Sequence, residues 1–235
     1  MKTLNLIFAF ALLTAFTSCK KSNYPDPTVD PPTKPVIAAF RDSVSYTIDG
    51  KNYWASGQGL NDIQTGSQDA NRKLVVNSFS YALIGNPDSV MHYQKNYLTG
   101  KNGSICIIFL KKYLKSTRGL PGMPGLNNVL KLFTAGQHPV VEDFGWQNTQ
   151  NGVAIEVPGG TSYNAYNGLK TIVASPGFQR NSIFEVTDFV LNASRGYNLK
   201  AKFTAILLDE AGKQKKLENG YLQLNLVPPY NTLAD

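Results

Sequence analysis

The sequence predicts an all-β domain, an antiparallel β-sandwich of about nine or ten strands with at most one short helix. Short runs rich in Val, Ile, Phe and Tyr recur along the chain, and clusters of turn residues separate them. Helical periodicity is almost absent, and no strand-helix-strand pattern indicates a parallel sheet. A closed β-barrel is the alternative architecture, because its strands carry the same alternating pattern.

The first eighteen residues have the pattern of a bacterial export signal. Lys2 provides a short positively charged region, and residues 4–16 form a mostly apolar run. The run is shorter than the about 20 apolar residues that a membrane-spanning helix requires. Two small residues then precede Cys19, which resembles the lipobox of bacterial lipoproteins, although Phe16 stands where Leu, Val or Ile is usual. The resemblance implies removal of residues 1–18 and covalent lipid on Cys19; an ordinary signal peptide with a chance cysteine is the alternative.

A proline-rich tether follows this signal. Residues 19–35 contain five prolines among polar residues, a composition that favours an extended polyproline II conformation over a packed core. At about 3.1 Å per residue, the tether extends to roughly 50 Å. Residues 36–235 contain no second linker of this composition, and they fit a single β-sandwich domain.

The strongest turn signal in this domain is Asp49-Gly50, which separates the alternating runs 44–48 and 51–55. Both central positions of a two-residue hairpin turn favour positive φ, and Asp-Gly suits them. A two-residue turn places Tyr53 with the apolar side chains and Trp54 on the opposite face of the sheet. A three-residue turn reverses these positions. We favour the two-residue turn.

The middle of the chain combines polar loops with apolar strands. Residues 57–71 are polar and are predicted to form a long loop, whereas residues 73–84 are rich in the residue types that strands prefer. Residues 105–110 are apolar at every position, which is typical of a strand that is buried on both faces. Cys106 lies within this run, so we expect an unreactive buried side chain rather than a nucleophile.

Asn127-Asn128 precede a short apolar and basic stretch that is followed by Gly136. This order of residues predicts a short helix with an asparagine cap and a glycine stop, although a strand is the alternative. Six later runs alternate or are rich in strand-forming residues, and turn residues separate them. They are residues 153–157, 169–174, 183–191, 199–208, 213–217 and 221–227.

Several of these segments together resemble uncharacterised β-sandwich lipoproteins that are widespread in Bacteroidota. The Asp49-Gly50 hairpin with its aromatic pair carries the resemblance, together with residues 132–136, 152–156, 182–187 and 203–220. The resemblance covers most of residues 40–227, and its motifs are turns and strand ends. It therefore implies the fold and a lipid-anchored location, and it assigns no catalytic residue.

Composition argues against a nucleic-acid partner and against a disulfide within the chain. The formal net charge is +7, but the basic residues are scattered and carry no base-stacking or groove-reading motif, so we expect no nucleic-acid partner. Lipidation of Cys19 leaves Cys106 without a partner for a disulfide within the chain. A packed core must therefore stabilise the domain.

Catalytic and metal-binding patterns are weak. The two histidines, His92 and His138, are far apart in the sequence and are expected in surface loops, so no zinc site is predicted. A glycoside hydrolase needs two carboxylates across the scissile bond. The best candidates are Glu156, Glu185 and Asp188, although solvated strand positions explain them more simply. We expect no catalytic residue and no cofactor other than the covalent lipid.

Aromatic side chains near predicted loops indicate a binding surface. Trp54, Trp146, Tyr163 and Tyr166 lie in or beside loops, and amide side chains accompany them. Sugar rings stack on flat aromatic faces, and loops commonly carry such sites; aromatic residues that cap a core have the same sequence pattern. The sequence thus predicts a non-enzymatic binding or structural module. An accessory glycan-binding protein is the alternative, and a glycoside hydrolase is the weakest of the three.

The expected partners are the membrane, through the lipid anchor, and either another envelope protein or a glycan. Lys20-Lys21-Ser22 follow the cysteine without the acidic cluster that many surface-exposed lipoproteins of Bacteroidota carry. We therefore expect an outer-membrane lipoprotein that faces the periplasm rather than the cell surface.

Overall fold

The computed structural model describes residues 40–57, 62–117, 124–159, 168–172, 177–193 and 196–226. These residues belong to one compact unit, Phe40–Asp235. The predicted signal, residues 1–18, and the predicted tether, residues 19–35 with Cys19, lie outside the described residues.

The all-β architecture predicted from the sequence is confirmed. The described ranges contain thirteen strands, one 3-10 helix (Lys115–Thr117) and one α-helix, α1 (Leu126–Leu130). The strands are β1 (Ser43–Ile48), β2 (Lys51–Ser56), β3 (Ile63–Asp69), β4 (Lys73–Val76), β5 (Tyr81–Ile84), β6 (Ser89–Gly100), β7 (Gly103–Leu114), β8 (Gly136–His138), β9 (Gly152–Val157), β10 (Leu169–Lys170), β11 (Ile183–Leu191), β12 (Tyr197–Leu208) and β13 (Gln214–Leu226). The number exceeds the predicted nine or ten, mainly because the patterns of β3, β6 and β8 do not identify them as strands.

Eleven of these strands form one antiparallel sheet, and β4 and β5 form a separate two-stranded sheet. The main path runs β2-β1-β13-β12-β10-β9-β7-β6-β3, while β11 pairs with both β12 and β8. The large sheet doubles over at β10, where Lys170 pairs with Leu208 of β12. It therefore forms two packed layers, as in a β-sandwich, and it is not closed into a barrel.

Strand β7 contacts strands at both sides of the opposite layer. Near the start of β7, the Tyr46 hydroxyl of β1 donates a hydrogen bond to the Ser104 carbonyl at 3.4 Å. Further along β7, the Phe109 ring packs on the Phe184 ring of β11, with centroids 5.7 Å apart. Because β13 and β12 separate β1 from β11, β7 crosses most of the opposite layer.

Apolar side chains from both layers fill the space between them. Strand β12 shows the alternation clearly, since every second residue from 199 to 207 is buried. A second apolar cluster, which includes Phe144, lies on the other face of β7 and β9. Every residue from 105 to 110 is buried, so β7 is covered on both faces, as its apolar run predicts. Cys106 is fully buried there as a free thiol, which confirms its predicted burial.

The β1–β2 hairpin has the two-residue turn that Asp49-Gly50 predicts. The two turn residues have φ values of 50° and 75°, as a type I′ turn requires. Tyr46 pairs directly with Tyr53. Tyr46 is buried, whereas Trp54 lies on the outer face and is 54% exposed. The predicted register is therefore confirmed.

Some element boundaries differ from the sequence prediction. Residues 57–71 are not one continuous loop, because β3 lies within them and pairs with β6 at the sheet edge. Strand β3 is polar and only partly buried, so it lacks the alternation that marks a strand. The predicted strands 213–217 and 221–227 are one strand, β13, in which a register shift occurs near Asn219 (φ 52°). Strand β10 covers residues 169 and 170 of the predicted 169–174, of which residues 173 and 174 lie outside the described ranges.

Strand β6 is missed by the sequence prediction, although it lies between β7 and β3 in the sheet. His92, Gln94 and Asn96 lie on one face of this strand, and all three are buried. Gln94 Nε2 donates to Asn96 Oδ1 at 3.0 Å, and Asn96 Nδ2 donates to the Ile107 carbonyl at 3.3 Å. Such bonds make burial of the amides tolerable. His92 is thus not in a surface loop, as the sequence suggests, because it belongs to this buried polar face.

A short helix is confirmed in this region, but α1 begins before the predicted asparagine cap and ends at Leu130, and Gly136 starts β8 rather than stopping the helix. Gly125 occupies the N-cap position, and no side chain caps the helix, so Asn127 and Asn128 do not have the predicted role. The Tyr113 hydroxyl of β7 donates a hydrogen bond to the Asn128 carbonyl. Val129 is buried in the main core. The helix thus contributes to the packing between the layers.

Candidate functional site

An open cleft of about 730 Å³ lies where several connections meet. The β1–β2 hairpin, the β6–β7 turn, the β12–β13 turn and the adjoining ends of β9 and β10 line it. At this place β2 packs over β6 and β7 without pairing with either strand. The volume is typical of small-ligand pockets, which measure about 300–1,000 Å³.

Two tyrosines of the β1–β2 hairpin form the apolar wall of the cleft. The Tyr46 and Tyr53 rings stack with centroids 5.2 Å apart and an interplanar angle of 10°. The Lys51 ammonium lies 5.3 Å from the centroid of the Tyr53 ring. Burial raises the pKa of the Tyr46 hydroxyl, and the neighbouring Tyr53 raises it further. Tyr46 is therefore a neutral phenol that donates to the backbone.

Glycines allow the β6–β7 turn to approach this hairpin closely. A Cβ atom on Gly100 would lie 2.4 Å from the Trp54 carbonyl oxygen, so no other residue fits there without a shift of the backbone. A Cβ atom on Gly103 would lie 3.0 Å from Tyr53 Cδ1 and 3.2 Å from the Tyr46 hydroxyl oxygen. The sequence of the turn thus brings its polar residues next to the stacked tyrosines.

Polar groups line the rest of the cleft. They are Thr99, Lys101, Asn102 and Ser104 from the β6–β7 turn, and Asp209 and Glu210 from the β12–β13 turn. Asp209 is fixed within its turn, because its Oδ1 accepts a hydrogen bond from the Lys213 amide at 2.8 Å. An ion pair between Lys215 and Asp49 joins this turn to the β1–β2 turn. The hydrogen bond to Asp49 raises the pKa of the Lys215 ammonium.

This arrangement suits a polar ligand that has an apolar face. An aromatic wall accepts C–H surfaces of such a ligand, and the surrounding hydroxyl, amide and charged groups provide hydrogen bonds. Among the described lining residues, the carboxylates are those of Asp209 and Glu210, which are neighbours on a single turn. They do not stand on opposite sides of a bond, as glycoside hydrolysis requires.

The predicted tryptophans do not meet at one site. Trp54 lies on the outer face of β2, beside the end of β6 at Gly100. Trp146 is 48% exposed and lies in the loop before β9. Its neighbour Gly145 accepts a hydrogen bond from Arg72, which follows β3. Strand β6 runs between these two places, and its twelve residues span roughly 40 Å at about 3.4 Å per residue.

Tyr163 and Tyr166 lie outside the described residues, in the segment between Gly159 and Gly168, both of which line the cleft. Tyr46 and Tyr53 are the aromatic residues that the structure brings to the cleft, and the sequence does not single them out as site residues. The hairpin register indicates that they pair. Only the tertiary approach of the β6–β7 turn makes them part of a cleft.

The candidate carboxylates Glu156, Glu185 and Asp188 do not come together. Asp188 Oδ2 lies 3.6 Å from Lys200 Nζ in an ion pair. Glu185 lies opposite Lys202 in the register of β11 and β12. Glu156 belongs to β9 in the other layer. None of these three carboxylates lines the cleft.

The histidine and cysteine side chains in the described residues contact structural groups and do not form a metal or nucleophile site. His92 Nδ1 lies 3.2 Å from Ser67 Oγ, and His138 Nε2 lies 2.7 Å from the Thr134 carbonyl oxygen. Within the described ranges, no group of three or more His, Cys, Asp or Glu side chains is arranged to hold a metal ion. Burial raises the pKa of the Cys106 thiol, which disfavours the nucleophilic thiolate.

No protein-family model, curated protein or solved structure matches the chain. In the part of the chain that the structure describes, no helix is both long enough and apolar enough to span a membrane. Function is therefore inferred from the cleft residues and from the N-terminal sequence.

Proposed function

We propose that the protein is a lipid-anchored, non-enzymatic binding protein of the cell envelope. The observation that carries this proposal is the cleft beside the stacked Tyr46 and Tyr53, which combines an apolar wall with polar groups in a small-ligand volume. The position of Asp209 and Glu210 on one turn favours binding over hydrolysis. The ligand is another envelope component.

Attachment through Cys19 is the second part of the proposal. The apolar run, the small residues before Cys19 and the proline-rich residues 19–35 support it. Two or more acyl chains hold a protein stably at a bilayer, whereas a single chain does not. We expect the anchored domain to face the periplasm, because Lys20-Lys21 follow the cysteine without an acidic cluster. The resemblance to β-sandwich lipoproteins of Bacteroidota agrees with this location.

Metabolic labelling with an alkynyl palmitate tests the anchor. We expect labelling and detergent-phase partitioning of the parent chain, and loss of the label in Cys19→Ser. Cys106→Ser is the matched control, because it removes the other cysteine and leaves the lipobox intact. An unchanged label in Cys19→Ser would exclude lipidation at this residue.

The second candidate function is that of an accessory glycan-binding protein. The specific observation is the half-buried Tyr53 ring, which lies in the cleft together with the Thr99 hydroxyl, the Asn102 amide and the Ser104 residue. Sugars present both C–H faces and hydroxyl groups, so they match such a mixed surface. A segment of another envelope protein is the alternative ligand.

Neighbouring residues on opposite faces of β2 provide a sharp test of the cleft. Tyr53 lines the cleft, and Trp54 points away from it. We expect affinity electrophoresis in a panel of soluble polysaccharides, or co-sedimentation with isolated peptidoglycan, to show about tenfold weaker binding for Tyr53→Ala. Trp54→Ala should bind as the parent chain does.

Each other outcome of this test has a definite meaning. Full binding by Tyr53→Ala would exclude the cleft as the binding site. Selective loss in Trp54→Ala would move the site to the outer face of β2. If neither polysaccharide nor peptidoglycan binds the parent chain, the glycan candidate is wrong, and a protein ligand remains for the cleft.

A further inference from the structure

The β4–β5 hairpin exposes apolar side chains on both of its faces. Phe79, in the turn, is 99% exposed, Tyr81 is 79% exposed and Val76 is 69% exposed. All four residues of β4 are exposed, and so are three of the four residues of β5. An isolated two-stranded hairpin with no covered face is marginally stable in water. An exposed apolar surface of this kind marks an interaction site.

The base of this hairpin is fixed to the rest of the domain. The Arg72 amide donates to the Gln147 carbonyl at 2.7 Å, and the Asn86 amide donates to the Ala70 carbonyl at 2.8 Å. These bonds hold the chain just before β4 and just after β5. The hairpin therefore projects from a supported base, and its apolar residues are presented to the surroundings rather than to the core.

Three backbone amides of the turn form hydrogen bonds within it. Asn77 Oδ1 accepts hydrogen bonds from the Phe79 amide at 3.0 Å, the Ser80 amide at 2.8 Å and the Ser80 hydroxyl at 3.0 Å. The Asn77 amide in turn donates to the Ser80 carbonyl at 2.9 Å. These bonded groups of the turn lose little when they leave water. No other described strand pairs with the outer edges of β4 and β5, so the strands themselves must stay in the hydrated headgroup region.

Basic and amphipathic residues surround the base of the hairpin. Lys73 starts β4, and Lys112 Nζ donates to the Asn71 side chain at 3.3 Å, beside the start of the hairpin. Arg72 Nη1 donates to the Gly145 carbonyl at 2.9 Å, which brings the exposed Trp146 to this region.

Further charged residues complete the region. Lys115 forms an ion pair with Asp69 at 3.7 Å, and its amide donates to the Asp88 carbonyl at 2.8 Å. Three acidic residues lie at the base, Asp69, Asp88 and the buried Asp143, whose Oδ2 accepts hydrogen bonds from Thr149 beside Lys112. The four basic residues are Arg72, Lys73, Lys112 and Lys115, so positive charge remains in excess by one. Such a positive surface attracts anionic phospholipid headgroups.

We propose that the β4–β5 hairpin is a membrane-docking element that inserts its apolar turn into a bilayer containing anionic phospholipids. Its four-residue strands reach about 13 Å from the base, at about 3.4 Å per residue. Interfacial elements bury their apolar part to a depth of about 5–10 Å. Insertion of Phe79, Val76 and Tyr81 to this depth leaves Trp146 and the basic residues at the headgroups, where aromatic and basic residues are favoured.

This inference goes beyond the proposed function, because it adds a second, non-covalent membrane contact that is independent of the cleft. It is also compatible with the proposed anchor. The 20 residues between Cys19 and Phe40, which make 21 steps along the chain, reach about 65 Å at about 3.1 Å per step. That reach exceeds the roughly 40 Å length of β6, so the tether does not prevent the hairpin from meeting the same bilayer.

Fluorescence quenching in vesicles tests the proposal. A polarity-sensitive dye is attached to Ser78→Cys in the turn or, as the matched control, to Ser56→Cys, an exposed serine at the end of β2. The buried Cys106 does not compete for the label, and Cys19 is lipidated or replaced by serine in both labelled chains. The full chain is reconstituted in phosphatidylethanolamine and phosphatidylglycerol vesicles that contain a nitroxide lipid. We expect blue-shifted, quenched emission from position 78 and water-like emission from position 56.

Adding Phe79→Ser to the labelled Ser78→Cys chain should lower the equilibrium constant for insertion about tenfold, because the largest apolar group of the turn is lost. Replacement of phosphatidylglycerol by phosphatidylcholine should also reduce quenching.

Equal, water-like emission from both labelled positions would overturn the proposal. A blue shift at position 78 that follows protein density and ignores the nitroxide lipid would overturn it in favour of a second copy of the chain. Loss of polysaccharide binding by the cleft would leave this result untouched.

Discussion

The β1–β2 and β4–β5 hairpins are of similar length, yet the fold buries one and exposes the other. In β1, Val44, Tyr46 and Ile48 alternate with partly exposed residues, so one face of the hairpin packs on the core. In β4, Leu74, Val75 and Val76 are consecutive and point to both faces. A strand with apolar residues on both faces needs cover on both sides.

Strand β7 is an apolar strand whose two faces are both covered. Residues 105–110 form a longer unbroken apolar run, and each of them is buried, because the main core lies on one face and the second apolar cluster on the other. The β4–β5 hairpin has no such layers within the described residues. The comparison teaches that the apolar run of β7 is covered on two faces, whereas the described residues leave the apolar residues of the β4–β5 hairpin uncovered, which is the basis of the docking proposal.

The same substitution in both hairpins should give the largest difference. Tyr46→Ala removes a buried ring that stacks on Tyr53 and should lower the free energy of unfolding by about 3 kcal/mol. Tyr81→Ala removes a ring that is 79% exposed, so its effect should stay within about 0.5 kcal/mol. Urea denaturation, followed by tryptophan fluorescence, measures both values. Similar losses in the two variants would show that the hairpins are equally integrated.

The turns of the two hairpins should also differ. Gly50 has a φ of 75° in the type I′ turn, so Gly50→Ala should destabilise the protein by about 1 kcal/mol through backbone strain. Ser78→Ala, in the turn of the other hairpin, is the control and should change stability by less than about 0.5 kcal/mol. Thermal unfolding in parallel would reveal the difference. A neutral Gly50→Ala would mean that the turn relaxes without cost.

Loss of the Asn77 side chain should act locally. Asn77→Ala removes the acceptor of the Phe79 and Ser80 amides, so the hydrogen exchange of these amides should become about tenfold faster. Global stability should not change, because the hairpin contributes little to the core. Hydrogen exchange by NMR distinguishes the two effects. A matching decrease in global stability would contradict the separation of this hairpin from the domain.

The smallest expected effect is a pH dependence at the start of β1. Burial raises the pKa of Asp42, and the hydrogen bond that its carboxylate accepts from the Asn225 amide opposes this rise only in part. Protonated Asp42 is therefore favoured in the folded state, so its contribution to stability declines as the pH rises from its unfolded pKa through the folded value.

Asp42→Asn keeps an oxygen acceptor for the Asn225 amide and cannot ionise. The variant should therefore gain stability relative to the parent chain as the pH increases from about 3 to about 7. Urea denaturation at these two pH values checks the sign. A constant difference between the two chains would exclude Asp42 as the titrating group.

Local sequence patterns were sufficient for the all-β class, the register of the β1–β2 hairpin and the two covered faces of β7. Each of these features depends on neighbouring residues, such as Asp49-Gly50 and the run 105–110. Strand β6 could not be predicted in this way, because His92, Gln94 and Asn96 are buried through hydrogen bonds and tertiary contacts that leave no hydropathy signal.

The cleft could not be predicted from local sequence patterns either. It is assembled from the β1–β2 hairpin, the β6–β7 turn and the β12–β13 turn, which are far apart in the chain. The exposed tryptophans Trp54 and Trp146 were more conspicuous in the sequence, but their exposure results from the outer face of β2 and from a loop beside Arg72. Aromatic residues in a sequence therefore indicate exposed contact surfaces, but they do not indicate which of these surfaces lie next to each other in the fold.

The pairing of β1 with β13 has a consequence for the order of events during folding. Val44 pairs with Leu222, although almost the whole domain separates them along the chain. Because closure of so long a loop must precede this contact, the sheet is expected to fold slowly and late, after β13 is available. A chain that emerges progressively during synthesis would keep β1 and β2 without their neighbour until that moment. Chaperones that protect unpaired strands would then be most effective on the nearly complete chain.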